Sequence, residues 1–254
     1  RRNVLIEYST LNCGDDCFTM KSGRGYDGLR VNKPTENVVV RYCLAQKGHG
    51  AITCGSETAG MIKNLYVHDC VFYETGVGIR FKTRRPRGGG GENLVYERIR
   101  MNLNGDAFKW DMLGGRMYVG ELADRLPARP INELTPKYKD IQAKDILIEK
   151  CDDFVKVSGI PESPLENVQI ENVVANCAHL FTAHDMINSS FKNMKLTSKE
   201  GAIKLLDTRN ITFNNIDFQV PDSTVQTTIE GSKSDSIMIE SCTNIKNTDW
   251  TSKH

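Results

Sequence analysis

The residues best suited to chemistry fall in three short phrases. These are the adjacent carboxylates of Cys13-Gly14-Asp15-Asp16-Cys17, the imidazole of Gly48-His49-Gly50, and the cations of Arg80-Phe81-Lys82. Two carboxylates held close together do not both ionise easily, so one can keep its proton near neutrality. Such a pair supplies an acid for a leaving oxygen and a base for water, the two functions that hydrolysis of a glycosidic bond needs. Neighbours on an ideal strand face opposite sides, so Asp15 and Asp16 can serve one site only across a local kink, which Gly14 could provide. A second pair, Asp152-Asp153, lacks a following Gly-His-Gly turn and reads as surface.

These phrases meet only if the fold brings them together, and a repeat suggests how it does. Asn followed by an apolar-x-apolar run recurs at Asn3, Asn37, Asn64 and Asn93, in steps of 34, 27 and 29 residues. The pattern returns at Asp145, Asn167, Asn210 and Ser236, with a degraded copy near Ser190-Phe191-Lys192-Asn193. The alternation puts one face inward, as a strand requires, and a period of this length with almost no helical pattern indicates a solenoid of stacked parallel strands. Asn at the same place in successive coils would share side-chain amide hydrogen bonds. We expect 1–254 to form one such all-β solenoid. The 52-residue step from Asn93 to Asp145 would be one coil carrying a long Pro- and Gly-rich insertion, about 110–139, laid over one face.

The repeat also serves as a ruler. Asp15 and His49 each lie 12 residues after a ladder asparagine, Asn3 and Asn37, so they occupy the same place on consecutive coils. Arg80 and Lys82 follow Asn64 one coil later and share a face, with Ile79 and Phe81 inward. Arg24 and Glu57 lie 21 and 20 residues past their ladder positions, which predicts that they are close, either as a salt bridge or as borders of a binding site. Arg84, Arg85 and Arg87, just before Gly88, form a basic loop beside the other cations, suited to an acidic polysaccharide. Trp110 could stack on a sugar face or pack beneath the insertion.

Gly14-Asp15-Asp16, Gly48-His49-Gly50 and Arg80-Phe81-Lys82, in that order, resemble glycoside hydrolase family 28, the polygalacturonases. Lys21-Ser22-Gly23-Arg24, Gly55-Ser56-Glu57 and Arg87-Gly88-Gly89 extend the resemblance over nearly the whole chain, and the first two look like bacterial, exo-acting members. The resemblance implies a right-handed parallel β-helix and inverting hydrolysis of α-1,4 linkages between galacturonate residues of pectin, with no metal or organic cofactor. It assigns Asp15 as the general acid, Asp16 as a water-activating carboxylate, and His49 as a support for the acid. Arg80 and Lys82 become the grip on the substrate carboxylate, with Arg24 and Glu57 as further substrate contacts. Retention of Arg-x-Lys disfavours rhamnogalacturonan hydrolysis. The family also carries an Asn-Thr-Asp one coil before its Asp pair, which here would fall upstream of Arg1. Asn247-Thr248-Asp249 has the letters at the wrong end. The opening Arg1-Arg2-Asn3 has neither Met nor an apolar leader, so we expect a chain entered partway, with one catalytic carboxylate missing and weak hydrolysis by this segment alone.

Composition narrows the alternatives. Lys and Arg total 33 against 32 Asp and Glu, a net charge of +1, which argues against a nucleic-acid binder. No run approaches the 18 apolar residues of a membrane-spanning helix. His68, His179, His184 and His254 share no ligand spacing, and the eight cysteines show no CxxC pair, so no metal site is expected and buried free thiols are the simplest reading. A non-catalytic pectin-binding solenoid and a pectate lyase are the rivals; the lyase would want an acidic Ca²⁺ cluster. A monomer is expected, and a pectin substrate implies a secreted or periplasmic protein.

Overall fold

A computed structural model describes residues 1–251, which leaves His254 outside the described residues. The described residues wind through nine coils. The first holds β1 (Arg2–Glu7), β2 (Thr10–Asn12) and β3 (Phe18–Met20), and the second β4 (Thr35–Arg41), β5 (Leu44–Gln46) and β6 (Ile52–Gly55). The third and fourth hold β7 (Ile62–Tyr73) with β8 (Val77–Lys82), then β9 (Gly90–Asn102) with β10 (Asp106–Asp111). Later coils run as β11 (Lys137–Ser158), β12 (Leu165–His184) and β13 (Met186–Leu206), followed by β14 (Arg209–Gln219), β15 (Gln226–Glu230) and β16 (Asp235–Glu240). The pairings from β1 to β16 are parallel, and only β17 (Thr248–Trp250) returns antiparallel on β16. This is the expected right-handed parallel β-helix.

Register explains the core. One inward column runs Val40, Val67, Tyr96, Ala143, Ile170, Phe191, Phe213, Ile239, each opposite the next on the adjoining coil and each buried. A single coil would leave this face in water; stacking buries it at roughly 1.5–3 kcal/mol for each large apolar side chain. Behind the cationic phrase, Phe81 stacks on Trp110 and Tyr138 with ring centroids 5.2 and 4.9 Å apart. Trp110 is therefore a core aromatic on β10, not a sugar platform. The insertion is correspondingly shorter than expected: the strands continue through Asp111 and resume at Lys137, and only 112–136 leave the coil.

Sharp corners separate the strands, and here the repeat needs correction. Residues 3, 37, 64, 93, 140, 167, 188, 210 and 236 all have left-handed φ of 52–57°, and those five positions on in every described coil have left-handed φ of 49–57°. Asn tolerates this conformation better than most residues because its short amide bonds locally. Asn37 donates to Asn3, Asn64 to Asn37 and Asn93 to Asn64, at 2.8–2.9 Å. The ladder then passes to Asp140, which accepts from Asn167 at 2.7 Å, not to Asp145. Asp145 belongs to the second corner, where it accepts from Asn172, and the copy sought at Asn193 is likewise a second-corner residue. The first corner in that coil is Asn188, which accepts from Asn210. Two corners five residues apart, both open to Asn and Asp, made the two rows interchangeable in letters alone.

Asn64 is both donor and acceptor in the ladder. Asn64→Ala should therefore lower stability by about 1–2 kcal/mol in denaturant titration, combining two solvent-exposed hydrogen bonds with a left-handed Ala. An unchanged midpoint would show that the ladder contributes nothing.

Candidate active site

The coils bring the three phrases into one cavity of about 610 Å³, whose lining includes Asp15, His49, Arg80 and Lys82. The turn between β2 and β3 carries the carboxylates. Its backbone is held by the next coil: Cys17 N–H donates to Gly50 O at 2.8 Å, and His49 N–H donates to Asp15 O at 2.9 Å. The kink is a bend at Gly14-Asp15, but Gly14 is not left-handed, so its special freedom is unused. The glycines that matter flank His49. A Cβ on Gly48 would lie 2.5 Å from Cys17 Sγ, and one on Gly50 would lie 2.9 Å from Asp16 Oδ1 and 3.2 Å from Arg80 Cδ. Bare backbone at both positions lets the carboxylate turn sit directly on the neighbouring coil.

The two carboxylates then diverge. Asp16 turns inward, its side chain 5% exposed, and accepts from Arg80 Nη1 at 2.9 Å and from Lys82 Nζ. Asp15 stays out in solvent, its side chain 84% exposed. It takes the Asp16 backbone N–H at 2.8 Å and lies 3.3 Å from His49 Nδ1. That N–H, with help from His49 and Lys82, holds the Asp15 carboxyl below its ordinary value. The Asp15 carboxyl is thus lowered and not raised, the opposite of what proton sharing between like charges would require, and the Asp16 carboxylate faces two cations.

The other expected neighbours separate. Arg24 and Glu57 make no ion pair among the described residues. Glu57 instead holds Lys21 at 2.5 Å and Arg87 at 3.4 Å, while Arg24 opens the short helix α1 (Gly25–Val31) and borders the cavity. The basic loop divides too. Arg85 is bound bidentately by Glu162, both side chains nearly buried, whereas Arg84 faces the cavity. Asp153 pairs with Lys156 at 2.8 Å outside this cavity, and Asp152 is exposed.

Asp111 and Tyr118 were missed by sequence reasoning. Both line the cavity, Asp111 at the end of β10 opposite Lys82, and Tyr118 on α2 (Arg116–Val119) in the insertion. Only the loop's length hinted at them. The thiols of Cys13 and Cys17, which bracket the carboxylates, lie 3.6 Å apart and are free, as are the other cysteines.

A carboxyl depressed in this way adds stability above its ordinary value of 3.8 and loses that contribution as pH falls through the lower folded value. We expect the unliganded Asp15 carboxyl to titrate below pH 3.8 in ¹³C NMR. A midpoint above 5 would mean that the acid is primed before any ligand arrives.

Residues 1–105 match the model of glycosyl hydrolases family 28. The chain is 29% identical over 181 residues to a probable polygalacturonase of Vitis vinifera, covering 69% of this chain and 34% of that protein. It is 28% identical over 100 residues to an exo-poly-alpha-D-galacturonosidase of Dickeya chrysanthemi, covering 39% of this chain and 16% of that one. It thus spans about a third or less of these relatives. The crystal structure of a hyperthermoactive exopolygalacturonase from Thermotoga maritima superposes with a TM-score of 0.59 at 21% identity, over 84% of this chain and 42% of that one, a likeness of fold. The match to that family falls on residues 1–105, which hold Asp15, Asp16, Arg24, His49, Glu57, Arg80 and Lys82.

Proposed function

We propose that this chain forms the catalytic coils of a polygalacturonase that hydrolyses α-1,4-galacturonosyl linkages with inversion, cutting from a chain end. The observation that carries the reading is that Arg80 and Lys82, both ion-paired to the inward-turned Asp16, line one cavity with Asp15 and His49. An anionic sugar entering the cavity competes with Asp16 for the two cations. Its carboxylate draws Arg80 and Lys82 toward itself, in the planar charge-assisted contact that Arg makes well. Asp16 is then less neutralised, and its charge raises the proton affinity of Asp15 beside it. Asp15 donates its proton to the leaving glycosidic oxygen as the C1–O bond breaks. Water attacks C1 from the opposite face and yields its proton to Asp16. His49 holds Asp15 in place.

Chain-end attack is supported by the insertion, which walls the cavity through Gly114, Gly115 and Tyr118, and by the exo-acting name of the Dickeya relative. A substrate of this kind lies outside cells, so the protein acts as a secreted or periplasmic monomer.

The reading is tested with oligogalacturonides. Asp15→Asn and Asp16→Asn should each reduce release of reducing ends by roughly 10²–10⁴-fold, the usual worth of a positioned acid or base. Monomer or dimer should appear from the first time point, with inverted anomeric configuration by NMR. Full turnover in both variants, unsaturated ultraviolet-absorbing products, or cleavage of rhamnogalacturonan alone would each overturn it.

A further inference from the structure

The turn that carries Asp15 and Asp16 is tied to the second coil on one side only. Backbone hydrogen bonds join Cys17 N–H to Gly50 O, Phe18 N–H to Ala51 O, and Asp15 O to the His49 N–H. On the other side, strand pairing ends at Asn12 with Gln46, and among the described residues no backbone hydrogen bond ties Cys13 or Gly14 to the second coil. Sulfur holds that side instead. Cys13 Sγ donates to Asp15 O at 3.2 Å and lies 3.6 Å from Cys17 Sγ. The two thiols thus close a ring around both carboxylates, and thiols are weak hydrogen-bonding groups.

Access separates this pair from the other cysteines. Cys43, Cys54, Cys70, Cys151 and Cys177 are buried; Cys151 and Cys177 stand opposite each other on adjoining coils, but inside the core. Cys242 is half-buried, and its thiol donates to the Glu240 carbonyl. Cys13 and Cys17 are both partly open to solvent. Cys17 is packed against Gly48, where a Cβ would lie 2.5 Å from its sulfur, so Cys13 is the partner free to move. The sulfurs must close by about 1.5 Å to bond, a movement within reach of one side-chain rotation.

We propose that Cys13 and Cys17 are an oxidation site, at which a low-molecular-weight disulfide converts the two thiols into a covalent staple across the carboxylate turn. The Cys13 thiolate attacks one sulfur of the small disulfide and expels one small thiolate. The Cys17 thiolate then attacks the Cys13 sulfur, the mixed disulfide breaks, and the second small thiolate leaves. Two protein thiols are oxidised, one small disulfide is reduced to two thiols, and the protons lost by the protein end on them. Cys17 reacts second because burial first, and then Cys13, pushes its thiol up; capping Cys13 removes the latter cause. The staple secures the free side of the turn and firms the placement of Asp15. Its kinetic consequence rests on the polygalacturonase reading, whereas the bond itself does not.

The test incubates the protein with oxidised glutathione or with dithiothreitol, then maps each sample by mass spectrometry, melts it and assays it on oligogalacturonides. Oxidised glutathione should remove two hydrogens from the peptide that spans Cys13 and Cys17. The oxidised protein should melt roughly 4–8 °C above the reduced one, as expected for a short closed loop in a chain of this length. Its kcat should exceed that of the reduced protein roughly 3- to 10-fold with KM held, since a misplaced acid costs rate more than binding. Cys13→Ser, at a partly open position where misfolding is not at issue, should abolish both differences, and Cys17→Ser should do the same. Absence of the Cys13–Cys17 bond, glutathione left attached to Cys13, or a bond that changes neither melting nor kcat would each overturn the proposal. A linked, more stable protein that cuts no oligogalacturonide in either state removes the polygalacturonase reading and leaves the staple standing.

Discussion

Each coil of the described residues must bend within single residues, and all nine do so at two left-handed corners five positions apart. A corner built from one residue leaves no slack, so a strand entering one coil lies over its counterpart in the next, at the usual spacing of about 4.8 Å. The side-chain ladder at the first corner reinforces this, since an asparagine out of register would lose both its donor and its acceptor. That fixity carries directly into the site. Asp16 and its two cations are 64 and 66 residues apart in sequence, yet they meet because three coils share one register. No flexible loop has to find its way there.

Register alone would give a row of charges. What differentiates them is how closely backbone can approach backbone. Gly48 and Gly50 allow the β2–β3 turn to rest on the second coil, and that contact sends Asp16 down onto Arg80 and Lys82 while Asp15 remains in solvent. Two adjacent residues of the same type thus acquire different electrostatic surroundings. One is nearly buried and compensated by two cations; the other is exposed and stabilised by a backbone N–H and an imidazole. The separate duties proposed for the two carboxylates rest on this difference in environment, the general route by which paired acids divide labour.

The sequence carried the fold and the meeting of the three phrases, because both depend on strand periodicity and on counting along strands. Ile79 and Phe81 point inward and Arg80 and Lys82 outward, as alternation requires. Counting failed where the chain leaves strands. Arg24 and Glu57 stand at equal counts past their ladder positions, but α1 and irregular backbone follow Arg24, and residue number no longer measures distance there. The second corner escaped notice for a different reason. Its occupants include Tyr8, Tyr42, Arg98 and Ser241 besides Asn and Asp, so no single letter marks it, and Asp145 was assigned to the wrong row. The opposite orientations of Asp15 and Asp16 were also hidden, since a bend obeys no period.

Among the described residues, the later coils place no side chain in the cavity, yet they fix its outer wall. The insertion lines the cavity through Gly114, Gly115 and Tyr118, then runs on to Arg125, whose guanidinium meets Asp185 at 2.6 and 2.8 Å and also Asp207. Asp185 is almost wholly buried, so the bond it forms with Arg125 is one whose loss would strand a charge away from water. Arg85 makes a comparable tie to Glu162 from the loop just beyond Lys82. Both anchors fasten segments near the cavity to coils well past it. Cavity shape is therefore a property of the stacked assembly, and a chain with near-zero net charge can still gather five cations around one opening because the coils, not the composition, decide where charge accumulates.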